Sequence, residues 1–134
     1  MRVLVVSYVD GITDEIVLCI RKFDSNVIID KVKDVWSAKH YLRTKEKYDV
    51  IVIDMMVQED YNMLIDPILQ PALNFISLRE YDKFNFPNKL FALFDYDETG
   101  DKGKDEVYKA GFELANYNFM SLEWRNKLMQ YLSN

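Results

Sequence analysis

Two hydrophobic periods share this chain. RVLVV, at Arg2–Val6, is a short β-branched run of the kind that forms a strand buried on both faces. DEIVLCIRKF then sets Ile16, Val17, Ile20 and Phe23 at helical spacing, with Thr13 as the expected N-cap. NVIIDKVKD reads as a second strand. Residues 34–45 read as a helix offering Val35, Trp36, Tyr41 and Leu42 to a core. YDVIVID, residues 48–54, is the clearest strand, with β-branched apolar residues running up to Asp54.

Beyond Asp54 the pattern predicts a helix within residues 61–78, started, kinked or interrupted by Pro67 and Pro71. LREYDKFNFPN reads as a connection and KLFALFD as a fourth strand. Residues 106–114 suit a short helix, 113–118 a weak edge strand, and 121–132 a closing helix with Ser121 as its N-cap. Strands alternating with helices imply an α/β three-layer sandwich: a five-stranded parallel sheet with helices on both faces. With no internal repeat, low-complexity tract or linker, residues 1–134 read as one domain.

Bulk properties remove several function classes. A hydrophobic share of 49% excludes a disordered chain, and a net charge of −5 argues against nucleic acid as a partner. No run is long enough to span a bilayer, and the start turns polar too soon for a signal peptide. One cysteine, Cys19, rules out an internal disulfide and suits a reducing compartment, so the expected setting is cytoplasmic, away from membranes.

The most pointed local motif is DYDETGDKGKDE, with Asp95 first, Asp97 third, Thr99 fifth, Gly100 sixth and Glu106 twelfth. That spacing is close to an EF-hand calcium loop. Its context differs: KLFALF before it reads as a strand, Lys102 fills the apolar eighth place, and no second loop exists. The alternative is a turn into the fourth helix, with Gly100 and Gly103 permitting tight bends and Asp105 and Glu106 at the helix N-terminus. SYVDGITDE, residues 7–15, bears some likeness to a flavodoxin phosphate loop, but Asp10 would repel an incoming phosphate. His40 reads as a solvated residue and Cys19 as a core residue on the first helix's apolar stripe.

A βα repeat with an aspartate closing its third strand resembles the receiver domain of two-component response regulators. YDVIVIDMM is similar to that family's phosphoacceptor strand, with Asp54 in the phosphorylated position. KAGFELANYNFMSLEW resembles the stretch from its fourth helix to its fifth. The resemblance covers nearly the whole chain and implies the receiver, or flavodoxin-like, strand order. It also implies a magnesium-dependent phosphoryl transfer whose other groups are absent here. The acidic pair falls on Ser7 and Tyr8, the switch threonine on Phe94, the lysine on Asn118 with Phe119 after it, and the switch aromatic on Ala115. Asp10 is a displaced carboxylate at best. Asp54 is then expected to act structurally, accepting backbone N–H groups above the sheet.

Between Asp54 and the fourth strand lie roughly ten residues more than a receiver needs, including the aromatic REYDKFNFP, placed beside the crevice where such sheets bind ligands. This reads either as a loop over the core or as a lid or docking surface. In the last helix Trp124 and Tyr131 share a face, either an interface or an inward-packed edge of the core. The expectation is a pseudo-receiver signalling domain, not an enzyme and without cofactor, acting on a protein partner, either a different protein or a second copy docking through the C-terminal helices. The first alternative is an active receiver phosphorylated on Asp54, with magnesium held by Asp10 and Asp95. The second is calcium binding from Asp95 to Glu106.

Overall fold

The computed structural model describes residues 1–44, 47–62, 69–95 and 101–134. Five strands, β1 (Arg2–Val6), β2 (Ile28–Val32), β3 (Val50–Asp54), β4 (Lys89–Asp95) and β5 (Glu113–Tyr117), form one sheet in the order β2-β1-β3-β4-β5. Every pairing is parallel. The helices between them are α1 (Asp10–Phe23), α2 (Val35–Thr44), α3 (Gln70–Ser77) and α4 (Asp101–Lys109), and α5 (Glu123–Ser133) closes the chain. This is the flavodoxin-like receiver fold.

The sheet separates two cores because alternate residues of each strand point to opposite faces. Val3, Val5, Val50, Val52, Phe91, Leu93 and Ala115 face α1 and α5, where Ile16, Ile20, Trp124, Leu128 and Leu132 meet them. Leu4, Val6, Ile51, Ile53, Ala92 and Phe94 face α2, α3 and α4. β3, between covered faces, is buried at every position, as its unbroken apolar run requires.

Several expected details shift. α1 begins at Asp10, so Thr13 lies inside its first turn; its hydroxyl donates to Ser7 O and Val9 O instead of capping. Ser121 stands one residue before the N-cap Leu122, and its hydroxyl accepts the Glu123 N–H at 3.0 Å. α4 starts at Asp101, which places Asp105 and Glu106 in mid-helix. Gly103 is helical as well, and serves close approach instead of a bend: a Cβ there would stand 2.8 Å from Leu69 Cδ1. Trp36, expected in the core, is 62% exposed, because α2 turns Val35, Ala38 and Leu42 inward.

The aromatic insertion lies elsewhere than expected. It forms 3-10 turns at Leu78–Glu80 and Asp82–Phe84, then enters β4 at Lys89. A chain entering a parallel strand arrives at its N-terminal end, whereas Asp54 ends β3 at the opposite edge. The insertion is therefore no lid on Asp54. Phe84 is buried, and Phe86 packs 5.4 Å from Phe75 and 6.0 Å from Phe112, which makes the segment a cover for the α2–α4 core.

Candidate functional site

Asp54 closes β3 at the edge of the sheet where a parallel fold collects its loops. It is 4% exposed. Its Oδ1 accepts the Met56 N–H at 3.0 Å, and its Oδ2 accepts the Ser7 hydroxyl at 3.5 Å. The carboxylate thus holds the turn that leaves β3, a structural role for a short polar side chain two residues ahead of an N–H donor.

Beside it lies a cavity of about 110 Å³. Tyr8, Val9 and Ile12 line it from the β1–α1 side, Asp54 and Met56 from the end of β3, and Leu93 and Tyr117 from β4 and β5. None of these residues carries a positive charge. Leu93 is the register partner of Asp54. Strand alternation explains which residues arrive: Phe91 and Leu93 share the α1–α5 face, as do Ala115 and Tyr117.

This corrects two placements. Phe94 does not face Asp54 but packs in the opposite layer with α4. Asn118 is exposed past the end of β5, where its Oδ1 accepts the Met120 N–H. The side chains that reach the crevice are Leu93 and Tyr117, so neither an aliphatic hydroxyl nor a lysine stands at either position. Period-two counting from Phe91 and Ala115 would have found both.

Tyr117 spends its hydroxyl elsewhere. It donates to Glu15, and the same carboxylate is ion-paired with Arg125, whose guanidinium also donates to Ser121 O and lies over the Trp124 ring. Burial first, then Glu15, and more weakly the charge of Asp54, push the Tyr117 phenol well above its usual range. Arg125 is thereby committed to Glu15, with a further hydrogen bond going to α5's own loop.

The remaining sequence candidates separate from the site. Asp10 is exposed and ion-paired with Lys33 at 3.4 Å, on the β2 side. Ser7 is buried and bonded to Asp54, and Tyr8 is half-exposed at the cavity wall. Ala115 is buried in the α5 layer. Trp124 is fully buried and Tyr131 packs 5.9 Å from Phe91, its hydroxyl accepting the Leu90 N–H. The pair is therefore an inward edge of the core and not an exposed interface. The exposed apolar residues of this region are instead Phe119, Met120 and Leu122, between β5 and α5. His40 is exposed, and Cys19 is a core thiol that burial pushes up.

For the acidic stretch, residues 96–100 lie outside the described residues. Strand β4 leads into it, where an EF-hand requires a helix, and from Asp101 the chain is already helical. Among the described residues no group of three or more histidine, cysteine or acidic side chains is placed to hold a metal ion.

No family model matches this sequence, and no curated protein does. Solved structures do match the fold. A signal receiver domain of a two-component histidine kinase from Clostridium thermocellum superposes with a TM-score of 0.74 at 9% identity, over 98% of this chain and 93% of that one. A CheY-like response regulator receiver domain from Methylobacillus flagellatus gives 0.66 at 13%, over 97% and 96%. The receiver domain of a sensor histidine kinase from Pseudomonas aeruginosa, solved with a magnesium ion in its active site cleft, gives 0.65 at 17%, over 99% and 98%. Magnesium takes near-octahedral oxygen ligands and keeps several waters. Among the described residues, one carboxylate with a serine hydroxyl, set against aliphatic and aromatic walls, does not fit it.

Proposed function

We propose that this chain is a receiver-like signalling domain that works by binding another protein and takes no phosphoryl group on Asp54. The observation that supports this is the setting of Asp54 among the described residues: a serine hydroxyl, a backbone N–H, and cavity walls with no cation and no second carboxylate. A phosphoryl group arriving on a carboxylate develops negative charge that a metal ion or fixed donors must neutralise. Among the described residues that line the cavity, no cation supplies that support. On this reading the domain is not an enzyme and needs no cofactor, and the exposed Phe119, Met120 and Leu122 contribute to the contact surface.

The test is to add magnesium with beryllofluoride, or with acetyl phosphate, and to follow mass and amide NMR shifts. The expected result is no change around Asp54. A saturable response that Asp54→Ala abolishes would select the rival reading, an active receiver whose metal recruits Asp10 and Asp95.

A further inference from the structure

Between the outer edge of β5 and the start of α5 lies another cavity, of about 190 Å³, lined by Asn116 on the strand side and by Glu123, Trp124 and Lys127 on the helix side. Trp124 is fully buried, and its indole Nε1–H has no hydrogen-bond partner among the described residues. A buried donor without an acceptor is costly. The cavity that Trp124 lines has room for the missing one.

Strand register opens a further pair of groups there. Leu93 O accepts the Met55 N–H on the β3 side, so Ala92 and Phe94 turn their backbone groups toward β5 and meet Glu113, Ala115 and Tyr117. Leu114 and Asn116 therefore face outward, since β5 ends the sheet. Side chains close the first of these: Leu114 N–H donates to Glu113 Oε1 at 3.1 Å, and its carbonyl accepts from Lys127 Nζ at 2.9 Å. Asn116 keeps its N–H and C=O toward the open edge.

Charge and hydrogen bonding select the occupant. An anion would meet Glu123, and the Lys127 ammonium that could offset it is paired with Glu113 at 3.7 Å. A cation brings only donors and leaves the indole unanswered. A hydrocarbon would strip water from Asn116 and return nothing. An extended peptide answers both sets. One residue's C=O and N–H pair with Asn116 as in any strand addition, and a carbonyl of the same segment meets the indole. The space holds about six water-sized groups, enough for about one peptide unit with its flanking carbons.

We infer that the edge of β5 takes an extended peptide segment of a partner protein, held by backbone pairing at Asn116 and by one carbonyl seated on the Trp124 indole. Phe119, Met120 and Leu122, exposed between β5 and α5, give the side chains of that segment an apolar surface. Glu113 and Lys127 confine the pairing to a short stretch, which keeps β5 from pairing along its whole length. The inference rests on the reading that the domain binds a protein, and not on the chemistry at Asp54.

The experiment is an NMR titration of the intact domain, following backbone amides and both indole N–H signals. The probe is a capped Thr-Val-Thr-Val-Thr peptide, and the control is the same peptide N-methylated at every residue. Saturable shifts are expected at the Asn116 amide and the Trp124 indole, in the millimolar range of so small a ligand. The exposed Trp36 indole on α2 should stay in place, and the control should move nothing. Trp124→Phe keeps a ring without the donor and should weaken the binding about fivefold, the worth of one neutral hydrogen bond. If that variant does not fold, Asn116→Pro tests the pairing alone: it deletes the outward N–H at a place where an edge strand tolerates proline, and should abolish the binding. An unmoved Trp124 indole, equal binding of the N-methylated peptide, or undiminished binding in the folded Asn116→Pro domain would each overturn the inference. So would N-methylacetamide binding as tightly as the peptide, since the cavity would then recognise an amide and not a strand. The beryllofluoride experiment above reports on Asp54 and this titration on β5, so either result can fail without the other.

Discussion

Tyr117 and Glu15 stand 102 residues apart in the chain and are hydrogen-bonded to one another, the phenol of β5 donating to a carboxylate of α1. Arg125 reaches the same carboxylate from α5. Three elements on one face of the sheet are therefore joined at a single acidic side chain, next to the cavity that Asp54 closes.

Removing the phenol hydroxyl tests this junction. Tyr117→Phe keeps the ring, the Trp124 contact at 5.6 Å and the Glu15–Arg125 pair. It should cost about 1 kcal/mol, the usual net worth of one hydrogen bond. Glu15→Ala strands both Tyr117 and Arg125 and should cost more, about 2 kcal/mol. Urea unfolding followed by circular dichroism measures both, and a Tyr117→Phe loss as large as that of Glu15→Ala would show that the phenol, not the ion pair, carries the junction.

Alkaline pH acts on three phenols together. Tyr48, Tyr117 and Tyr131 are all raised from the usual 10.0, chiefly by burial, with Asp30 adding to the first and Glu15 to the second. A folded value above the unfolded one means the unfolded chain releases protons first. The stability these neutral phenols contribute is therefore full below about pH 10 and falls as pH rises through the folded values. The urea midpoint should hold steady near neutrality and drop steeply above about pH 10. The Tyr48→Phe, Tyr117→Phe double variant should flatten that drop.

The two tryptophans make opposite predictions. Trp124 is fully buried between β5 and α5, and Trp36 is exposed on α2. Trp124→Ala should cost about 3–5 kcal/mol as a large-to-small core change. Trp36→Ala should stay within about 0.5 kcal/mol, as surface changes do. In a Trp36→Phe variant the remaining emission should resist quenching by iodide, whereas in Trp124→Phe it should be quenched readily.

That contrast also marks how far the sequence could be read. Strand order and fold were legible, because β-branched runs such as YDVIVID and RVLVV punctuate helical spacing on a regular beat. Asp54 at the close of β3 was legible for the same reason. The facing of helices was not: Trp36 and Trp124 each sit in an amphipathic pattern whose stripe is wide enough to be turned either way, and the packing of α2 and α5 on the sheet makes the choice. Leu93 and Tyr117 escaped because their meaning depends on register with Asp54, a relation between strands some forty and sixty residues downstream. Phe94 and Asn118 were one residue off, and in a strand one residue is the other face. The insertion was misplaced because its length is visible in the sequence but the sheet edge it approaches is not.

Asp34 ties the loop beyond Asp54 to the rest of the fold, and its removal should be felt there. The residue is buried just ahead of α2, where its Oδ1 accepts the Ser37 N–H at 2.8 Å as a helix cap. Its Oδ2 accepts the Tyr61 N–H at 2.7 Å, and the Val35 and Trp36 N–H groups donate to Gln58 O and Glu59 O alongside. The first turn of α2 and residues 58–61 thus satisfy one another, with a single carboxylate serving both. Asp34→Ala leaves two donors without an acceptor, which should cost about 2–4 kcal/mol, a lost cap plus a lost loop bond. Asp34→Asn keeps a cap oxygen but offers an amide where Oδ2 stood, so it should recover only part of that loss. Hydrogen exchange at Ser37 and Tyr61 separates the two halves. In Asp34→Asn the Ser37 amide should stay protected while the Tyr61 amide exchanges faster, and equal protection of both would mean that the backbone bonds to Gln58 and Glu59 hold the loop without Asp34.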